Sequence, residues 1–385
     1  VNVEKNEALV KKGEYLSKMG DCISCHTNVK AGTGVYAGGL PIETPFGTFY
    51  SPNITPDKKT GIGRWTEADF IRALKEGKNP KGQHYFPVFP YVSFSNLTEE
   101  DLRALYAYFM SIPAIEQENK SLPFPFNVPG ARVPLIGWNL LFFYPNVPYE
   151  VDKTQTKAWN RGKYIVDGLG HCTMCHTPLN PLGGVKQNYY LTGTFIDGYW
   201  APNITKQGLL DVTAEDIANF FKNNMLLNDA GPVAGPMAEV NHNSLNYMTP
   251  EDRLAIATYL KTVVSEDALA LKPSEHQSSS VRGREINHKV CSICHQDGKM
   301  TAPLIGDGHA WMYRLKQSGL KALYQHVIKG YNSMPIRGAC TTCSDEDIVA
   351  AVDYLLEQSL SRSQWIDLQS NGEKRYPEHQ LNQAE

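Results

Sequence analysis

The chain has 385 residues, 42% of them hydrophobic and 20% charged, with a formal net charge of −3. At roughly 150 residues per domain this leaves room for two or three domains of ordinary globular composition. The near balance of charge gives no basis for binding nucleic acid or an anionic membrane surface.

The chain begins Val1-Asn2-Val3-Glu4-Lys5 without a leader pattern, as expected of a mature N-terminus left by cleavage. A helical pattern containing Gly13 and Tyr15 leads into Cys22-Ile23-Ser24-Cys25-His26. This is C-x-x-C-H, the order that attaches a c-type haem. Two thiols at that spacing reach the two vinyl groups of one porphyrin, and the His that follows is held beneath the iron as its proximal ligand. Ser51-Pro52-Asn53-Ile54-Thr55 comes next, then a helix starting near Thr66. A capped helix follows, with Thr98 as N-cap, acidic residues in its first turn and Leu102, Leu105 and Phe109 on one face.

Residues 114–158 form a proline-rich connection. It carries the most apolar run of the chain, Val133 to Phe143, which is too short to span a bilayer and contains Pro, Gly and Asn. A buried interdomain segment is the expectation; a surface that meets a membrane or a partner subunit is the alternative.

The pattern then recurs. Gly162 and Tyr164 precede Cys172-Thr173-Met174-Cys175-His176, Ala201-Pro202-Asn203-Ile204-Thr205 matches the earlier Pro-Asn-Ile-Thr, and helices are expected from Thr213 and Thr249. Lys272 to Ser280 reads as a flexible linker. A third copy has Gly283, Cys291-Ser292-Ile293-Cys294-His295 and a closing helix capped by Ser344. Tyr108, Tyr259 and Tyr354 occupy equivalent places in the three closing helices. A glycine in each entry helix would let the closing helix approach closely. The tail from Ser361 to Glu385 is polar and expected to be loosely ordered.

The boundaries that follow are 1–113, 114–158, 159–265, 266–280, 281–360 and 361–385. The fold class is all-α, with three tandem haem domains and one covalently bound haem c in each, three in all. Six of the eight cysteines belong to the three motifs. Cys340 and Cys343 form a C-x-x-C followed by Ser344, so no proximal His is available, and a zinc site would need two more ligands. A small disulfide is the reading, and with covalent haem it suits an oxidising compartment.

A methionine from the loop before each closing helix is the expected sixth iron ligand, because His/Met ligation raises the potential of an electron-transfer haem. Met334 fits in the third copy, with Met300, Met312 and His309 as alternatives. Met237 fits in the second, with Met225, Met248 and His242 behind it. The first copy has Phe89 where a Met is expected. His84 is the expected ligand there, which would lower that haem's potential. A five-coordinate iron, Met110 or a plain surface His are the other readings.

The first two copies resemble the multihaem cytochrome c subunits of periplasmic bacterial dehydrogenases that oxidise alcohols, gluconate, sorbitol, fructose and aldehydes. Gly39 to Thr48, Ser51 to Asp57, Gly137 to Phe143 and Gly235 to Val240 carry the resemblance. It supports Met237 as a ligand; many members have Met where Phe89 stands. The third copy resembles the small cytochrome c5 type through Met334 to Asp345, where the family pairs the last two cysteines and ligates iron with the Met. The resemblances imply tandem class I cytochrome c domains and an electron relay in the periplasm. Electrons would come from a dehydrogenase catalytic subunit and go to a quinone, a soluble cytochrome or a terminal oxidase. Any membrane attachment would be through the partner. The chain holds no GxGxxG cofactor motif and no catalytic constellation of its own. The competing function is a haem enzyme acting on thiosulfate or peroxide at the first haem.

Overall fold

A computed structural model describes the chain except for residues 1–2, 144–148, 197–198, 211, 226, 228–232, 234, 267–278 and 371–385. The expected linker at 272–280 falls almost wholly outside the described residues, as does the end of the tail.

Three entry helices, Val3–Met19, Lys157–Asp167 and Ser279–Ile286, each cross a closing helix: Glu99–Ser111, Pro250–Leu260 and Asp345–Ser359 respectively. The caps explain where the closing helices start. The side chains of Thr98, Thr249 and Ser344 accept the backbone N–H of Asp101, Asp252 and Asp347. The middle helices Glu67–Glu76 and Ala214–Asn223 begin at full capping boxes on Thr66 and Thr213.

The crossings require glycine. A Cβ on Gly13 would lie 1.9 Å from the Ala104 carbonyl oxygen, one on Gly162 1.9 Å from that of Ala255, and one on Gly283 2.2 Å from that of Ala350. The expectation of close helix approach holds in all three copies.

The first two copies share one hydrophobic core. Leu16, Met19, Leu97 and Leu105 are continuous with Tyr164, Ile165, Leu169 and Leu260. The third copy has its own, built on Ile286, Leu315, Tyr324, Leu355 and Leu356.

The all-α expectation needs a small addition. Two antiparallel hairpins, Pro41–Thr44 with Gly47–Tyr50 and Thr194–Ile196 with Tyr199–Ala201, lie in the loops after the first two motifs. The third copy differs too. Its expected long loop contains a helix, Gly308–Lys329, kinked at Gly319. The tail departs from loose order over Arg362–Ser370, a helix whose Trp365 and Leu368 pack on the third core. Ser361 and Gln364 cap its start reciprocally.

The apolar run forms the helix Pro134–Phe142, and it is not the buried segment expected. Leu135, Asn139 and Phe143 turn inward, whereas Leu140 and Leu141 are 73% and 64% exposed. Among the described residues, no helix is long and apolar enough to cross a membrane.

Candidate haem-attachment sites

Each C-x-x-C-H follows an entry helix within a few residues and turns through a short helix: Cys22–His26, Thr173–His176 and Ser292–His295. The paired cysteines and the histidine are thereby held on one turn. The imidazoles are fixed in the same way. His26 Nδ1 lies 2.8 Å from the Pro52 carbonyl oxygen, His176 Nδ1 2.8 Å from that of Pro202, and His295 Nδ1 2.8 Å from that of Pro303. A carbonyl only accepts, so Nδ1 carries the proton and Nε2 keeps its lone pair. Burial lowers the pKa of all three rings, which keeps them neutral and able to ligate.

The recurring Pro-Asn-Ile-Thr explains the first two carbonyls. Asn53 Oδ1 accepts from the Thr55 N–H at 2.9 Å and its hydroxyl at 2.7 Å; Asn203 does the same with Thr205 at 2.9 and 2.6 Å. These buried turns fix the proline carbonyl beneath the histidine. The histidine's own carbonyl is also tied down, by the Gly38 N–H at 2.7 Å in one copy and the Gly193 N–H at 2.7 Å in the other. Both glycines have positive φ, 75° and 92°, where a side chain would be strained. In the third copy Pro303 follows its histidine closely, in a tight loop closed by the Ile305 N–H on the His295 carbonyl at 3.0 Å. No Pro-Asn-Ile-Thr marks it.

Burial pushes the thiols of Cys22, Cys172 and Cys291 up to about 12. Reactive redox cysteines have lowered values instead. Paired neutral thiols beside a carbonyl-anchored imidazole fit a covalently attached porphyrin. Cys340 and Cys343 stand apart from the motifs, joined by a disulfide with a Cα–Cα distance of 5.5 Å.

Met237 lies half-buried on the short helix Pro236–Asn243, against the shared core. Met334 lies half-buried in a tight turn, exchanging backbone hydrogen bonds of 2.9 and 3.0 Å with Tyr331. Of the alternatives, Met248 is in the core, whereas His242 and His309 are exposed. Met110 packs on the shared core. Phe89 sits in an aromatic cluster with Tyr85 and Phe94 at 5.4 and 5.7 Å.

His84 differs from the motif histidines. Its Nδ1 is 3.1 Å from Asn139 Nδ2, while Asn139 Oδ1 accepts from the Tyr91 hydroxyl at 2.8 Å. With the amide so turned, Nδ1 accepts and the ring proton sits on Nε2, the opposite tautomer. Burial, aided by Lys78, lowers its pKa. Arg132 Nη1 donates to the His84 carbonyl at 2.5 Å, and both residues line a cleft of about 590 Å³ with Leu122, Phe126 and Ile136. Asn139 is a site residue that sequence reasoning missed, since it is hidden in an apolar run.

Helices closed over carbonyl-anchored C-x-x-C-H turns define a c-type cytochrome. The family model "Cytochrome c" matches residues 10–113, and that described as "Cytochrome C oxidase, cbb3-type, subunit III" matches 280–355. The chain is 40% identical over 300 residues to a nicotinate dehydrogenase subunit of Pseudomonas putida; the match covers 76% of this chain but only 25% of that protein. It is 36% identical over 332 residues to the gluconate 2-dehydrogenase cytochrome c subunit of Pantoea cypripedii, covering 80% of this chain and 74% of the relative. A stretch of 71 residues, 18% of the chain, is 38% identical to cytochrome c5 of Azotobacter vinelandii over 86% of that protein. The chain belongs to the family of dehydrogenase cytochrome c subunits, and its cytochrome c domains carry covalently bound haem c.

Proposed function

We propose that this chain is a triheme cytochrome that relays electrons from a dehydrogenase catalytic subunit to a separate acceptor. One observation carries the reading: the same Nδ1–carbonyl anchor recurs at His26, His176 and His295. The domains are 1–113, 159–265 and 281–360. Cys22 and Cys25, Cys172 and Cys175, and Cys291 and Cys294 hold the three porphyrins. Met237 and Met334 complete the second and third irons. His84 completes the first, which requires its ring proton on Nδ1 rather than on Nε2, where the present Asn139 contact puts it. The acceptor is a quinone, a soluble cytochrome or an oxidase. The disulfide and covalent haem suit the periplasm.

When bound, haem c supplies the one-electron couple; the protein holds it, sets its ligands and excludes water. The relatives' names support a dehydrogenase as electron donor, because the gluconate and alcohol dehydrogenase proteins are called cytochrome c subunits. The test is haem content per polypeptide, from intact mass and the pyridine haemochrome. Three haems are expected; two would remove one site. Purification from native membranes with a dehydrogenase that reduces the haems on adding its substrate tests the donor.

A second reading is favoured by the cleft beside His84 and Arg132. An open first iron there would serve a small inorganic substrate such as thiosulfate or peroxide. A high-spin first haem that binds CO supports it.

A further inference from the structure

The helix that carries Met237 is fastened outside its own copy. Its last residue, Asn243, donates from Nδ2 to Ser24 Oγ at 2.8 Å, and the next, Ser244, donates from Oγ to the Met19 carbonyl at 3.1 Å. Ser24 is a spacer residue of the first C-x-x-C-H, between Cys22 and Cys25. Its hydroxyl proton is used as well, donated to Asp21 Oδ1 at 2.7 Å. The chain Asn243 to Ser24 to Asp21 therefore has one direction, with the serine both accepting and donating. Asp21 is buried, with a left-handed backbone at φ 50°, so the far end of the chain is fixed.

The arrangement has no mirror image. The second motif has Met174 where the first has Ser24, and the first copy has Phe89 where a ligand methionine is expected. Only one of the two copies thus offers its motif as a support for the other's ligand helix. The helix is short, Pro236–Asn243, and starts from Gly235 at φ 66°. Within its own copy, Asn241 Nδ2 holds it to the Phe220 carbonyl at 3.3 Å, a long bond. The contact at its C-terminal end then bears on how Met237 is presented.

We propose that Ser24 and Asn243 are positioning residues for Met237, so that the attachment motif of the first haem sets how firmly the sulfur is held on the second iron. This rests on Met237 being that ligand. The second haem then keeps its Met bond only while the first copy is correctly folded around its own haem.

The test uses the full-length, haem-loaded protein. In the reduced state each Met-ligated iron moves its Met methyl proton resonance far upfield, and Met237→Ala identifies the one that belongs to Met237. Asn243→Ala and Ser24→Ala are expected to broaden or remove that resonance and to raise imidazole affinity at the second haem about tenfold, the equilibrium equivalent of one hydrogen bond. Ser24→Thr keeps the hydroxyl and is expected to restore both readouts. The Met334 resonance is expected to stay unchanged. Unaltered spectra and imidazole affinity in both alanine variants would overturn the proposal, as would equal changes at Met237 and Met334. If Met237→Ala removes no resonance, the ligand assignment fails and the proposal with it. If it removes one that both alanine variants leave intact, with imidazole affinity unchanged, the proposal alone fails.

Discussion

The Tyr15 hydroxyl donates to Asp252 Oδ2 at 2.7 Å and accepts the Thr249 backbone N–H at 3.1 Å. Tyr164 repeats this in reverse, donating to Asp101 Oδ2 at 2.7 Å and accepting the Thr98 N–H at 3.0 Å. Each entry helix thus completes the start of the other copy's closing helix, which is why the two share a core.

Losing either hydroxyl removes a hydrogen bond to a carboxylate, worth roughly 1.5–3 kcal/mol. Tyr164→Phe is expected to cost more than Tyr15→Phe. Asp252 keeps two bonds from Arg161 at 2.8 Å each, whereas Asp101 keeps, among the described residues, Lys12 at 2.7 Å. Denaturant unfolding of the haem-loaded protein reads the difference. Equal and negligible losses would show that the crossed pairs do not hold the interface.

Glycines at helix crossings and on open helices should respond oppositely to alanine. Gly13→Ala and Gly162→Ala each place a methyl 1.9 Å from a backbone carbonyl oxygen. The helices must part, at a cost of about 3 kcal/mol or more. Gly137 lies in the helix Pro134–Phe142 with nothing within 4 Å of an added Cβ. Gly137→Ala is expected to stabilise by up to about 1 kcal/mol through helix propensity. Thermal unfolding of the three variants side by side checks the sign.

Local devices are legible in the sequence. C-x-x-C-H, the Thr and Ser caps, and the entry-helix glycines each depend on a few neighbouring residues, and each is where its pattern puts it. The Pro-Asn-Ile-Thr repeat is visible in the chain, but its task, a carbonyl for the histidine, emerges only with the fold. The pairing of Tyr15 with Asp252 joins residues 237 positions apart, and the same pattern would have suited a pairing within one copy. Asn139 is masked by apolar neighbours, because hydropathy does not show which residue of a helix turns inward. The helix Gly308–Lys329 is hidden by glycine at both its start and its kink.

Asp21 makes stability depend on pH. Burial, reinforced by Glu239, pushes its carboxyl from 3.8 up to about 7. Between those values the folded state keeps a proton that the unfolded state has released. Its contribution is therefore full below about pH 4 and is lost as pH rises through about 7. The slope is at most ~1.4 kcal/mol per pH unit. Asp21→Asn, which can still accept from Ser24 and tolerates the left-handed backbone, is expected to flatten that slope. Unfolding free energies measured from pH 4 to pH 8 test it (the window set by the two values above); an unchanged slope in the variant would assign the dependence elsewhere.

Whether His84 can ligate the first haem's iron turns on which way Asn139 faces. With Nδ2 toward His84, the ring proton lies on Nε2 and that nitrogen has no lone pair for iron. With Oδ1 toward His84, the ring adopts the tautomer of His26, His176 and His295 and can ligate. Asn139→Asp offers only acceptors to Nδ1–H, so it is expected to favour ligation and lower the first haem's potential. His84→Ala is expected to convert that haem alone to a high-spin form that binds CO, seen by low-temperature EPR and visible spectra. A first haem that stays low-spin in His84→Ala would rule His84 out. One that is already high-spin in the unmodified protein would instead support small-molecule chemistry at the cleft beside Arg132.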